Sequence, residues 1–218
     1  MKWYRRHWYS FNLIFLLIAL LWAITFSHSR LQLILLLNFC VILIHQFEEF
    51  CFPGGGPAVS NIALAQHPVH PDRCPLNENN NMVINVCVGN IFYLLPVFFP
   101  QIGWLGLAPT LFGFMQLYVH GVTENRKLGT YYNGGLASVI LGHVPLGIWY
   151  LLTAYHTGML TIINILLAVI YIIFVAKVLM QWLGFKVLGN QNSPYPFDQT
   201  EMHRFHIDEK LAKKHEHD

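Results

Sequence analysis

His45-Gln46-Phe47-Glu48-Glu49 and His120-Gly121-Val122-Thr123-Glu124 each set an imidazole within about one helical turn of a carboxylate. At about 100° per residue, His45, Glu48 and Glu49 share an arc of about 100° on one helix face, and His120 and Glu124 lie about 40° apart on another. Imidazole nitrogen and carboxylate oxygen are donors that zinc, iron and manganese accept. Two such helices side by side offer two imidazoles and three carboxylates, similar in type to the carboxylate–histidine sites inside helical bundles. His143, nine residues into an apolar run that starts at Gly134, is a further candidate. The expected ligands of a divalent metal are therefore His45, Glu48, Glu49, His120, Glu124 and His143, with Glu48 and Glu49 also the expected catalytic carboxylates. The plainer alternative is a polar helix end in the headgroup zone, its acids paired with Arg126 or Lys127. Two adjacent acids repel each other and oppose the negative end of the helix dipole, which favours the site reading for His45, Glu48 and Glu49; for His120 and Glu124 a polar loop start is an equal alternative. For His143, hydrogen bonding between helices competes with ligation.

The elements that carry these residues are membrane helices. Of 218 residues, 55% are hydrophobic and 11% are charged, against roughly 25% charged in a soluble domain. The mean hydropathy is +0.44. A net charge of +2 is too small for a nucleic-acid binder, and the composition excludes a disordered chain or a coiled coil. Crossing roughly 30 Å of hydrocarbon takes about 20 apolar residues. The chain reads as an all-α, polytopic transmembrane helix bundle of about six spans: Trp8–Ser27, Leu31–Phe50, Met82–Phe99, Trp104–His120, Gly134–Tyr155 and Met159–Leu183. Only Pro100-Gln101-Ile102-Gly103 separates the third from the fourth.

Six spans put both termini on one side. That side holds Lys2, Arg5, Arg6, Arg73, Arg126, Lys127, Lys186, Arg204, Lys210, Lys213 and Lys214, and the other holds only Arg30. The positive-inside rule then makes both termini cytoplasmic. It also puts His45, Glu48, Glu49, His120 and Glu124 at one cytoplasmic depth. The first span has a basic start, but its apolar core is longer than that of a signal peptide, so it reads as a retained anchor.

Residues 1–183 form the expected bundle and 184–218 a soluble cytoplasmic tail. Between the second and third spans, Phe52-Pro53-Gly54-Gly55-Gly56-Pro57 must end a helix and turn sharply. A short helix over Ala58–Gln66 follows, then His67, His70, Asp72 and Cys74 in a solvated loop. Four cysteines, two in spans and two in a loop on the reducing side, predict no structural disulfide. Asp198 and Glu201 form a capping-box-like start for a tail helix through about Lys214. The tail histidines, including His203, His206, His215 and His217, read as part of a solvated, mixed-charge segment.

His45-x-x-Glu48-Glu49 followed by Phe52-Pro53-Gly54-Gly55 and Pro57-Ala58 resembles the HXXEE family of small bacterial integral membrane proteins. Tyr132-Asn133-Gly134-Gly135-Leu136 with Pro145-Leu146-Gly147-Ile148 is similar to that family's tyrosine-led turn before a proline-bearing helix, although the family more often has proline-glycine at 134–135. The likeness covers roughly residues 31–152. It implies a multi-pass protein of the bacterial inner membrane with a site role for His45, Glu48 and Glu49, and no established reaction.

The resulting expectation is a metal-dependent membrane hydrolase or oxidoreductase with its site at the cytoplasmic leaflet, acting on a lipidic or membrane-partitioned substrate. A proton or metal-ion transporter is the main competitor. Against it stand the absence of an internal repeat and the clustering of the acids at one face. A structural or accessory membrane protein, whose polar residues only join helices, is the third reading, and bis-histidine haem ligation a fourth.

Overall fold

The computed structural model describes residues 2–65 and 69–215. His67 and His217, and the expected helix end at Gln66, lie outside the described residues. Among those described, every regular element is helical. Five long helices are apolar and long enough to cross a membrane: α1 (Lys2–Thr25), α2 (Arg30–Phe50), α4 (Glu78–Phe98), α6 (Leu136–His156) and α7 (Ile162–Val187). Between α4 and α6 runs α5, Gly103–Tyr118, which continues through a wide turn at Val119–Glu124 into Asn125–Leu128. Short helices complete the chain: α3 (Gly56–Ala58, continued by Val59–Leu64), α8 (Gln199–Met202) and α9 (Ile207–His215).

α2 is the central rod. In its most apolar stretch 67% is buried inside the protein, against 22% of α1 and 17% of α7. Leu31, Ile34, Leu35, Leu36, Phe39, Ile42 and Leu43 fill the core around it. α1 and α7 instead turn Leu17, Ile18, Ile24, Ile163, Leu166 and Ile170 outward. An apolar surface of that extent belongs in hydrocarbon rather than in water.

α5 is less apolar than its neighbours and is accommodated by its small residues. An added Cβ at Gly106 would strike the Tyr150 ring, and one at Gly113 would come within 3.1 Å of His143 Cβ. The glycines thus let α5 press against α6, as small residues do between membrane helices.

The two ends of the bundle differ. At one, the loops following α1, α4 and α6 gather: Trp22 packs on Phe98 with ring centroids 5.7 Å apart, and Tyr150 Oη donates to Gly103 O at 3.2 Å. At the other lie the N-terminus, the long loop after α2, the 129–135 loop and the tail. The tail is docked rather than solvated. Phe197, Met202 and Ile207 are buried, Arg6 pairs with Asp198, and Arg204 Nη1 donates to Phe50 O. Its apolar residues supply the reason, since leaving them in water forfeits their burial. Asp198 does cap α8 with Glu201 closing the box, but left-handed backbone at Phe205 (φ 61) and His206 (φ 51) breaks the expected single helix in two.

Candidate metal centre

α2 brings His45 and Glu49 to its last turn, four residues apart, as the helical arc requires. α5 continues past Tyr118, so His120 and Glu124 fall in its wide turn and both are buried. α6 carries His143 in a similar wide turn, Val139–His143. Single π-type turns of this kind recur at functional sites because they re-aim side chains.

His45, Glu49 and His120 form a group able to hold a metal ion, with one donor atom from each within 4.8 Å of the others. His45 Nε2 and Glu49 Oε2 are 3.8 Å apart, too far for a hydrogen bond. Two donors each about 2.0–2.2 Å from one ion lie at most about 4.4 Å apart, so the His45–Glu49 spacing suits a shared ion. His143 lies outside that group but adjoins it, its ring centroid 5.8 Å from that of His45; the His45 and His120 centroids are 4.9 Å apart.

All three imidazoles are oriented through Nδ1. His45 Nδ1 donates to Gly135 O at 3.1 Å and lies 3.1 Å from Ser138 Oγ. His120 Nδ1 is 2.8 Å from Asn133 Oδ1 and 3.0 Å from Glu124 Oε2. His143 Nδ1 is 2.7 Å from Asn38 Oδ1. A carbonyl or carboxylate can only accept, so the proton sits on Nδ1 and the Nε2 lone pair is left free. Metal-binding histidines are held in this way. Four buried side-chain polar atoms lack a partner among the described residues, and two are imidazole nitrogens of this cluster, His45 Nε2 and His143 Nε2; the hydroxyl of Tyr93 is a third. The Tyr93 ring packs 5.3 Å from that of His143. Buried polar atoms are rarely left bare, so two on neighbouring imidazoles call for a ligand.

Glu48 and Glu124 are occupied otherwise. Glu48 accepts from Ala137 N at 3.0 Å, Ser138 N at 2.9 Å and Tyr132 Oη at 2.7 Å. It therefore caps α6, whose own N-cap, Gly135, has no side chain to do so. Its negative charge also complements the positive end of that helix. Burial first, and then the bond to Glu48, push the Tyr132 phenol above its usual range, so it stays a donor. Glu124 orients His120. Neither carboxylate pairs with Arg126 or Lys127 among the described residues. Asn85 spends its side chain on Asn81, away from the group.

The 132–135 loop ties the centre together. Tyr132 holds Glu48, and Asn133 donates to His120 O at 2.6 Å. Gly134 crosses the end of α2 where an added Cβ would lie 2.8 Å from Glu48 O. Gly135 adopts φ +102, and its Cβ would meet His45 Cε1 at 2.7 Å and His120 Cε1 at 2.8 Å. Asn38, Tyr93 and Asn133 are contributors that the spacing argument does not reach. Asn38 stands seven residues before His45, on the same face of α2, which is a readable signal. Tyr93 is one aromatic among many in the spans and gives none.

A family described as "Protein of unknown function with HXXEE motif" matches residues 36–150. No curated protein and no solved structure matches the chain.

Proposed function

Since the chain belongs to the HXXEE family, whose function is unknown, we propose that it is a six-span membrane protein with cytoplasmic termini and a divalent metal centre made by His45, Glu49, His120 and His143. It acts as a metal-dependent enzyme on a lipidic or otherwise membrane-partitioned substrate. The membrane of residence, on this reading, is the bacterial inner membrane.

The observation that carries the reading is the pair of bare, buried Nε2 atoms on His45, which faces Glu49, and on the neighbouring His143, while each Nδ1–H is held by protein. Three imidazoles and one carboxylate suit zinc, iron or manganese. Such an ion, when bound, supplies Lewis acidity and brings the pKa of a water on it towards about 7. The chain supplies the rest. Asn38, Gly135 O and Glu124 fix three ring orientations. Glu48 locks α6 against α2. Glu49, whose side chain is 22% exposed against 2% for His45, is the group best placed to pass a proton to the aqueous side. Tyr93, whose ring packs on that of His143, adds a buried hydroxyl without a partner among the described residues.

Metal analysis of detergent-purified protein tests this. The expected result is one divalent ion per chain in the wild type and loss of that ion in His45→Ala/His120→Ala, with helicity retained by circular dichroism. No metal above background, or equal occupancy in the double variant, overturns it. Turnover that needs dioxygen would make the chemistry oxidative, and turnover without it hydrolytic.

A further inference from the structure

A second feature lies along α5 and is lined by none of the histidines. A groove of about 620 Å³ runs between α5 and α6, lined by Leu117, Gly121, Leu136 and Ile140 on its apolar part and by Asn125, Arg126 and the 129–131 loop on the rest. Arg126 also lines an adjoining hollow of about 370 Å³ with Lys127 and Lys214. Arg126 and Lys127 are exposed and have no carboxylate partner among the described residues. Lys214 Nζ donates to Arg126 O at 2.9 Å, which docks α9 on the end of α5 and fixes the third cation beside the other two.

The feature is amphipathic along the helix axis. Leu117 and Arg126 are nine residues apart, about 13 Å at 1.5 Å per residue. The apolar part therefore reaches from the cationic end of α5 towards the middle of the bundle. An added Cβ at Gly121 would meet only the tips of Leu117 and Leu136, at 3.7 and 3.8 Å, so the missing side chain leaves a trough where a larger residue would fit.

We infer that this is a binding site for an anionic phospholipid, its phosphate held by Arg126, Lys127 and Lys214 and one acyl chain lying over Gly121. Charge complementarity selects the headgroup, and a basic pocket at the end of membrane helices is where such lipids are retained. The apolar trough selects a lipid over a free phosphate. The site uses none of the expected metal ligands, so it stands or falls independently of the metal centre.

Delipidated full-length protein in nanodiscs or detergent, titrated with phosphatidylglycerol, phosphatidylcholine or inorganic phosphate and read by native mass spectrometry, provides the test. Phosphatidylglycerol is expected to bind more tightly than phosphatidylcholine, with about fivefold of the preference lost for each basic side chain removed in Arg126→Gln, Lys127→Gln and Lys214→Gln. Gly121→Leu, which fills the trough and leaves the charges alone, is expected to weaken phosphatidylglycerol by about tenfold. Thermal melts of each variant confirm that it is folded. Equal retention of the two lipids, phosphate competing as well as lipid does, or full binding by folded Gly121→Leu would each overturn the inference.

Discussion

At the scale of single residues, the two adjacent glutamates have separate jobs. Glu49 shares the donor group with His45 and His120. Glu48 gives its oxygens to two backbone N–H groups and a phenol. Hydrogen bonds to a charged group contribute about 1.5–3 kcal/mol each, and Gln can replace them only in part. Glu48→Gln is therefore expected to lower stability by roughly 1–3 kcal/mol in a denaturant titration while metal occupancy persists. Glu49→Gln should do the reverse, leaving the fold intact and weakening metal binding by at least the roughly 10–100-fold typical of losing an outer partner. Metal lost from Glu48→Gln without a stability change would make Glu48 a ligand. The helical arc placed His45, Glu48 and Glu49 on one face but could not divide them. An arc of about 100° spans both the neighbouring α6 terminus and the histidine group, and only the packing of α6 separates the two.

At the scale of elements, the 129–135 loop determines whether α2, α5 and α6 form one centre. Its glycines were visible in the sequence as turn residues, but their purpose was not, because it depends on what crosses behind them. Gly135 has to be glycine twice over: its φ is +102, and a Cβ there would sit 2.7 Å from His45 and 2.8 Å from His120. Gly135→Ala is expected to displace both rings and abolish stoichiometric metal binding. Gly129→Ala is the matched control. It has the same left-handed backbone (φ +61), but its Cβ would approach only the Lys214 side chain at 3.5 Å. Both substitutions carry backbone strain of about 1–3 kcal/mol, and only the first touches the imidazoles. Equal metal loss in the two, measured on folded protein, would show that strain rather than contact governs the loop. Five of the six expected spans coincide with long apolar helices, because apolar runs leave little choice in a membrane. The docked tail was not readable: Phe197, Met202 and Ile207 are too widely spaced to form an apolar run.

At the scale of the whole molecule, the positive-inside count and the packing of the ends are independent of each other. Eleven Lys and Arg fall with the termini, the loop after α2 and the ends of α5 and α7, and those parts pack together: Arg6 on Glu78 at 3.4 Å, Arg204 on Phe50 O, Lys214 on Arg126 O. Arg30 lies at the other end with the three shorter loops. Antiparallel pairing of successive helices accounts for that sorting if α5 crosses together with the five helices that are long and apolar enough to do so. Its glycine-lined contact with α6 and its apposition to α7 give it protein rather than lipid for much of its length. The crossing can be checked by labelling with a membrane-impermeant maleimide in a background lacking the four native cysteines. Gln101→Cys sits in the exposed turn between α4 and α5, and Tyr131→Cys replaces a side chain that is 98% exposed at the opposite end. Six spans with cytoplasmic termini predict that the first labels in intact cells and the second only after permeabilisation. If both positions label from the same side, α5 does not cross, the termini fall on opposite sides, and a centre shared by α2, α5 and α6 at one membrane face is lost with them.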